Sequence, residues 1–340
     1  MSFTNRAVSI IGSGQELGLE HGWGVMASSD SSELAWANTP VAERKRPAKA
    51  CDYVPSRVAS SRADMGDCPV WDEHRHLLYF VDITGGRINC LTPRGKVERV
   101  YEAAARIGAL ALTDQGNLIF TEDANVAILD VALGHVRLYS APVHHSAGLR
   151  LSDGACDPAG RFVTGLMDQG VSGIAGALYR FDHHLQGQII RRKLAQPNGL
   201  AWSADGQKLY FVDSSVRAIY CADYFCGGAL GAVSLFAETP AELGRPSGIA
   251  LDRAGGLWVC QLDGSCVLRY DRSGQISEQV LMPVPRPTSV CFAGEGLDTL
   301  YITTARVGMT PVQLLDYPEA GELFRIRPAV GGIRRHRFKE

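Results

Sequence analysis

No apolar run in this 340-residue chain approaches the ~20 residues a membrane-spanning helix requires. The one apolar stretch near the start, AVSII, is too short for the h-region of a secretory signal, so a cytoplasmic protein is expected. Charge of one sign is lacking too. The 34 Lys and Arg against 36 Asp and Glu leave a net charge of −2, and no sequence-wide field draws the chain to nucleic acid or an anionic membrane. The nine cysteines follow no zinc-ligand spacing, are odd in number, and in places sit inside apolar runs such as LWVCQ. They read as buried free thiols rather than a disulfide framework. A dinucleotide-binding turn is missing: Gly12, Gly14 and Gly18 are spaced one residue too far for G-x-G-x-x-G, and no acidic residue closes a second strand. Long stretches of 3.6-residue periodicity are absent, which excludes a helical solenoid.

What the chain does have is 37 glycines and 16 prolines spread along its length, the mark of many short strands joined by tight turns. Residues 1–60 show no sustained period, carry a Ser-rich patch (Ser28 to Ser32) and a basic run at 43–47, and read as a poorly ordered extension or a segment lying across the outside of the domain. From residue 61 to about 335 the chain repeats. The run LYFVD at 78–82 recurs as LIFTE (118–122), FVTGL (162–166), LYFVD (209–213), LWVCQ (257–261) and LYITT (300–304). A short strand and a turn signal precede each run, and an alternating strand follows it; many units end in a weaker fourth strand such as VERVYE. Six units of roughly 40 to 50 residues, each a four-stranded antiparallel meander, imply an all-β six-bladed β-propeller. One meander cannot bury both faces alone, whereas six stacked around an axis bury them against one another.

The innermost strands of a propeller start at one mouth of the central channel, so the residues at those starts converge. Aligning the units gives Asp67, Gly108, Ser152, Asn198, Ser247 and Thr288, five of them oxygen-bearing. The second strands return to the same mouth and end in Asp82, Glu122, Leu166, Asp213, Gln261 and Thr304, with Asp123, Asp168, Asp263 and Arg306 just beyond. Oxygen donors with few lysines suit a hard divalent cation such as Ca²⁺ or Mg²⁺. Turn chemistry alone also makes strand starts polar, and that plainer origin stands beside the metal reading. The pairs His144-His145 and His183-His184 read as solvated loop histidines, because neighbours on a strand face opposite ways.

The motifs MGDCPVWDEHRHLLYFVDITGGRI, RLSDGACDPAGRFVTGLM, PNGLAWSADGQKLYFVDSS and RPSGIALDRAGGLWVCQLDGSCVLRYD follow one another along the chain. Together with LYITTAR and PEAGELFRI they resemble the senescence-marker/gluconolactonase/luciferin-regenerating family, which includes regucalcin, over about residues 62–332. The resemblance implies a six-bladed propeller holding one divalent cation (Ca, Mg, Mn or Zn, with Ca favoured) and hydrolysing small sugar-type lactones. It places the family's metal-binding Glu on Asp67, its metal-binding Asn on Asn198, and its ligand and proposed general base, an Asp, on Ser247. The substrate-side R-x-N-D-G motif falls on Arg150, Ser152 and Asp153. A serine takes no proton at neutral pH without a partner base, so Asp263 and Asp213 are candidates to replace the missing carboxylate.

The leading expectation is therefore a metal-dependent lactonase acting on a small-molecule lactone, with no nucleic-acid or membrane partner. A second reading, a propeller that binds a cation or ligand without turnover, follows from Ser247. A third, an interaction platform, draws on the varied outer loops alone.

Overall fold

A computed structural model of the chain describes residues 3–7, 10–11, 53–59, 61–139, 149–168 and 176–340. Six separate antiparallel sheets follow one another along it, and each begins with the strand next in line around the ring. The inner strands are Gly66–Asp72, Ile107–Leu112, Leu149–Cys156, Pro197–Trp202, Arg245–Leu251 and Pro287–Ala293. Blades three, four and five use four consecutive strands. Blade six takes its outer strand from Ser56–Ala59, which pairs antiparallel with Leu323–Ile326, so the two ends of the domain close the ring together. That strand lies within the segment expected to precede the domain. Blades one and two each carry an additional outer strand, Ile10–Ile11 and Phe3–Ala7. The Ser-rich patch, the basic run, the glycines at 12, 14 and 18, and His144-His145 lie outside the described residues.

The apolar runs are explained by two-sided burial. In Leu78–Val81, Leu78 and Phe80 pack toward blade six, and Tyr79 and Val81 pack toward blade two. Six apolar clusters result, one between each neighbouring pair of blades. Alternation persists, but both faces are apolar, which gives continuous hydrophobic runs. The eight cysteines among the described residues are free thiols, six of them buried in this packing, and His183 and His184 are exposed on a turn. Hairpin turns are fixed by side chains the repeats supply. Asp72, Asp157 and Asp252 each accept backbone N–H groups two and three, or two and four, residues on.

Every inner strand shifts register against its neighbour near its start: after Asp67, Ile107, Leu151, Asn198, Pro246 and Pro287. A β-bulge bends the strand and re-aims its side chains, so six bulges in one layer turn the strand-start residues toward the channel. Gly108 sits in one of them because a Cβ there would lie 2.1 Å from the Leu151 carbonyl oxygen of the next blade. Gly108→Ala is expected to lower stability by about 3 kcal/mol, read as a lower denaturant midpoint with unchanged slope.

Candidate active site

Six residues singled out from the sequence line one cavity at the bulge layer: Asp67, Arg150, Ser152, Asp153, Asn198 and Ser247. Gly199 makes room for this arrangement, with φ +42° and a Cβ position 2.4 Å from the Ser247 carbonyl. Asn198 can therefore turn inward beside Ser247, and its Nδ2 donates to Ser247 Oγ at 3.3 Å, leaving the amide oxygen for the cavity. The rest of the strand-start ring stitches blades together. Ser152 Oγ donates to Pro197 O at 2.7 Å, and Thr288 Oγ1 donates to Gly66 O across the closure between blades six and one.

Two carboxylates are buried here. Burial, then the charge of Asp153, push Asp67 up to about 7, although the Cys68 N–H and Ser289 hydrogen-bond it. Burial also raises Asp153, against the opposing pull of Arg335 and hydrogen bonds from Cys68, Gly154 and Gly199. Arg150 is buried beside them, pushed down to about 10 by burial and by Arg106. Among the described residues its Nε has no hydrogen-bond partner, and Nη1 reaches only its neighbour's carbonyl at 3.5 Å. A buried guanidinium nitrogen without an acceptor is costly unless a ligand supplies one.

The other expected carboxylates are engaged elsewhere. Asp213 accepts the N–H groups of Ala195 and Gln196 at 2.8 Å. Asp82 accepts those of Asp64 and Met65, and Glu122 those of Ala104 and Ala105. These second-strand carboxylates clamp the chain entering blades one, two and four, a role the repeat spacing did not separate from metal binding. Asp263 is not among the cavity-lining residues. Its oxygens are held by Arg245 at 2.8 Å and Arg286 at 2.6 Å. Arg245 itself lines the cavity and was missed, though it stands two residues before Ser247 in the RPSGI motif, where the strand-start alignment could have exposed it.

The lining offers carboxylate, amide and hydroxyl oxygens beside the thioethers of Met65 and Met167, and no cluster of three or more His, Cys, Asp or Glu occurs among the described residues. Asp67, displaced to about 7 despite the charge of Arg150, together with an amide oxygen and a hydroxyl, fits a hard divalent ion.

Comparison with known proteins adds an independent line. Residues 65–306 match the family described as the SMP-30/Gluconolactonase/LRE-like region. The chain is 35% identical over 273 residues to a 6-deoxy-6-sulfogluconolactonase of Pseudomonas putida, covering 79% of this chain and 92% of that one. It is 33% identical to an L-arabinolactonase of Azospirillum brasilense, covering 83% and 94%. Among solved structures, a luciferin-regenerating enzyme superposes with a TM-score of 0.78 at 24% identity, covering 85% of this chain and all of that one. A calcium-binding regucalcin of Agrobacterium tumefaciens superposes at 0.80 and 21% identity, covering 86% of this chain and all of that one. At those identities the likeness is one of fold.

Proposed function

Because this chain belongs to the SMP-30/gluconolactonase/LRE-like family, we propose that it is a lactonase that opens a small sugar-type lactone at the channel mouth with a bound divalent cation. The observation that carries the reading is the meeting of Asp67, the Asn198 amide, Ser247, Asp153 and Arg150, whose Nε has no partner among the described residues, in one cavity. Asp67, the Asn198 amide oxygen and the Ser247 hydroxyl would hold the ion. When bound, a divalent cation supplies Lewis acidity toward the lactone carbonyl and toward water.

The chain's own groups do the remaining work. Arg150 is placed to hold a substrate oxygen through its guanidinium, whose Nε lacks an acceptor among the described residues. Asp153, whose affinity for protons burial raises, is the cavity carboxylate left to accept a proton from the attacking water once Asp67 is committed to the ion. Water adds to the carbonyl carbon, the ring C–O bond breaks, and the proton returns to the departing ring oxygen to give the open hydroxy acid. Asp263, read from the sequence as a base, is assigned instead to anchoring Arg245.

Charge at the rim favours an acidic substrate. Arg245 and Arg286 share the single carboxylate of Asp263, which leaves one guanidinium charge in excess at that edge, beside a cavity itself lined by Asp67 and Asp153. The Pseudomonas relative is named for a sulfonated lactone, consistent with such a rim. The test is a panel of neutral, carboxylated and sulfonated sugar lactones assayed with Ca²⁺, Mg²⁺, Mn²⁺ and Zn²⁺ in turn. The reading expects turnover with at least one ion and kcat/KM about 10-fold higher on acidic members. Arg245→Gln should remove that preference with little loss on neutral lactones. Cation binding without turnover of any lactone would favour the reading of a binding propeller.

A further inference from the structure

The C-terminal segment has no part in the proposed chemistry, yet it reaches the same channel from the opposite end. Residues 331–339 run across the rear of the ring, where Gly332 N–H donates to Leu297 O and Ile333 N–H to Leu251 O. His336 bridges to Cys156, and the buried Phe338 bridges to Thr113 and exchanges backbone bonds with Leu112 and Asp114. Between these anchors Arg335 directs its guanidinium at backbone carbonyls of three blades. Nη1 donates to Pro69 O at 3.2 Å, and Nη2 donates to Val290 O at 2.9 Å and Ile249 O at 3.4 Å.

The location of those carbonyls carries the argument. Pro69 lies two residues along the strand from Asp67, and Ile249 two residues from Ser247. Val290 adjoins Ser289, the hydroxyl that hydrogen-bonds Asp67. The six sheets share no backbone ladder, so beyond single backbone bonds such as Leu151 N–H to Asp123 O the inner strands of different blades are set apart by side-chain packing and by bonds of this kind. A planar guanidinium with fixed donor directions holds three carbonyls at defined spacing, which a flexible ammonium does less well. Arg335 makes no carboxylate ion pair among the described residues: its charge acts on Asp153, and its hydrogen-bond donors are turned to these carbonyls.

We propose that Arg335 is a positioning residue: by tying blades one, five and six together below the bulge layer, it sets the separation of Asp67 and Ser247 at the mouth. The inference rests on the reading that these residues hold a cation. It makes the C-terminal tail a working part of the site rather than a cover.

The experiment uses the full chain and calorimetric titration with Ca²⁺, Mg²⁺, Mn²⁺ and Zn²⁺ in turn, comparing wild type with Arg335→Met, Arg335→Lys and Arg337→Gln. Arg337 belongs to the same tail but bonds Asp72, Glu73 and Thr113. Arg335→Met is expected to weaken the preferred ion at least ~10-fold, with Arg335→Lys recovering part of that loss. Arg337→Gln should lower the melting temperature while leaving affinity within about twofold of wild type. A folded Arg335→Met protein that binds as tightly as wild type overturns the proposal. So does equal weakening by Arg337→Gln, which would make the tail a general brace. If Arg335→Met fails to fold, Arg335→Lys decides: loss of affinity supports the proposal and unchanged affinity overturns it. A wild-type protein that binds none of the four ions overturns the reading of the mouth and this inference with it, and does so before any variant is compared.

Discussion

Asp67→Asn is expected to weaken divalent-cation binding at least ~100-fold and to lower kcat/KM on the best lactone about 10³-fold. Asp67 is the only carboxylate in the proposed ligand set, and an amide supplies one neutral oxygen where a carboxylate supplies charge and two. The same substitution should stabilise the metal-free protein at pH 8, an outcome that separates loss of a ligand from loss of fold. Its folded pKa, raised to about 7 by burial and by Asp153, lies above the unfolded carboxylate value. The folded state therefore binds more protons between about pH 4 and 7. The stability linked to this group is fully present below about pH 4 and is lost as pH rises through 7. Metal-free wild type should accordingly melt several degrees lower at pH 8 than at pH 5.5, relative to the same comparison in Asp67→Asn. A saturating cation should erase that deficit, because an ion that binds only the folded, ionised site adds stability by mass action. Thermal melts at the two pH values, with and without cation, read all of these effects.

Ser247→Asp should act in the opposite direction on binding. Asn198 Nδ2 already donates to the atom at position 247, so a carboxylate there would be oriented by an existing partner. It would place a second charged ligand beside Asp67. Cation affinity is expected to rise at least ~10-fold, and metal-free stability at pH 8 to fall, since another buried negative charge joins Asp67 and Asp153. The lactone assay decides what Ser247 means for the reaction. A rise in kcat identifies the lost carboxylate as a base, whereas a change in affinity with kcat unchanged leaves proton transfer with Asp153. Unchanged affinity would remove Ser247 from the ligand set.

The propeller was readable in the sequence because its cause is local and repeated: a strand buried on both faces, such as LYFVD at 78–82, recurs once per blade. Convergence of Asp67, Ser152, Asn198 and Ser247 was readable for a related reason, since equal positions in equal units meet at one level of the ring. The division of labour within that ring was not. Ser152 and Asn198 occupy equivalent positions, yet one hydroxyl is spent on Pro197 O while the amide of the other turns to Ser247. The deciding factors are bulge geometry and the identity of the residue across the blade boundary, neither of which a single unit's sequence contains. The second-strand carboxylates Asp82, Glu122 and Asp213 were misleading for the opposite reason. Their repetition reflects a shared structural clamp, and repetition alone does not distinguish a clamp from a ligand. Arg245 stood inside a recognised motif and was passed over, whereas Arg335 belongs to no repeat and acts across the ring.

The most direct measurement of the central claim is lactone turnover by protein stripped with a chelator, dialysed free of it, and titrated back with a divalent cation. The proposed function predicts that activity disappears on stripping and returns to a plateau at one ion per chain, with the Asp67→Asn protein recovering little at the same concentration. Full activity in the stripped protein, or equal recovery by Asp67→Asn, would contradict it.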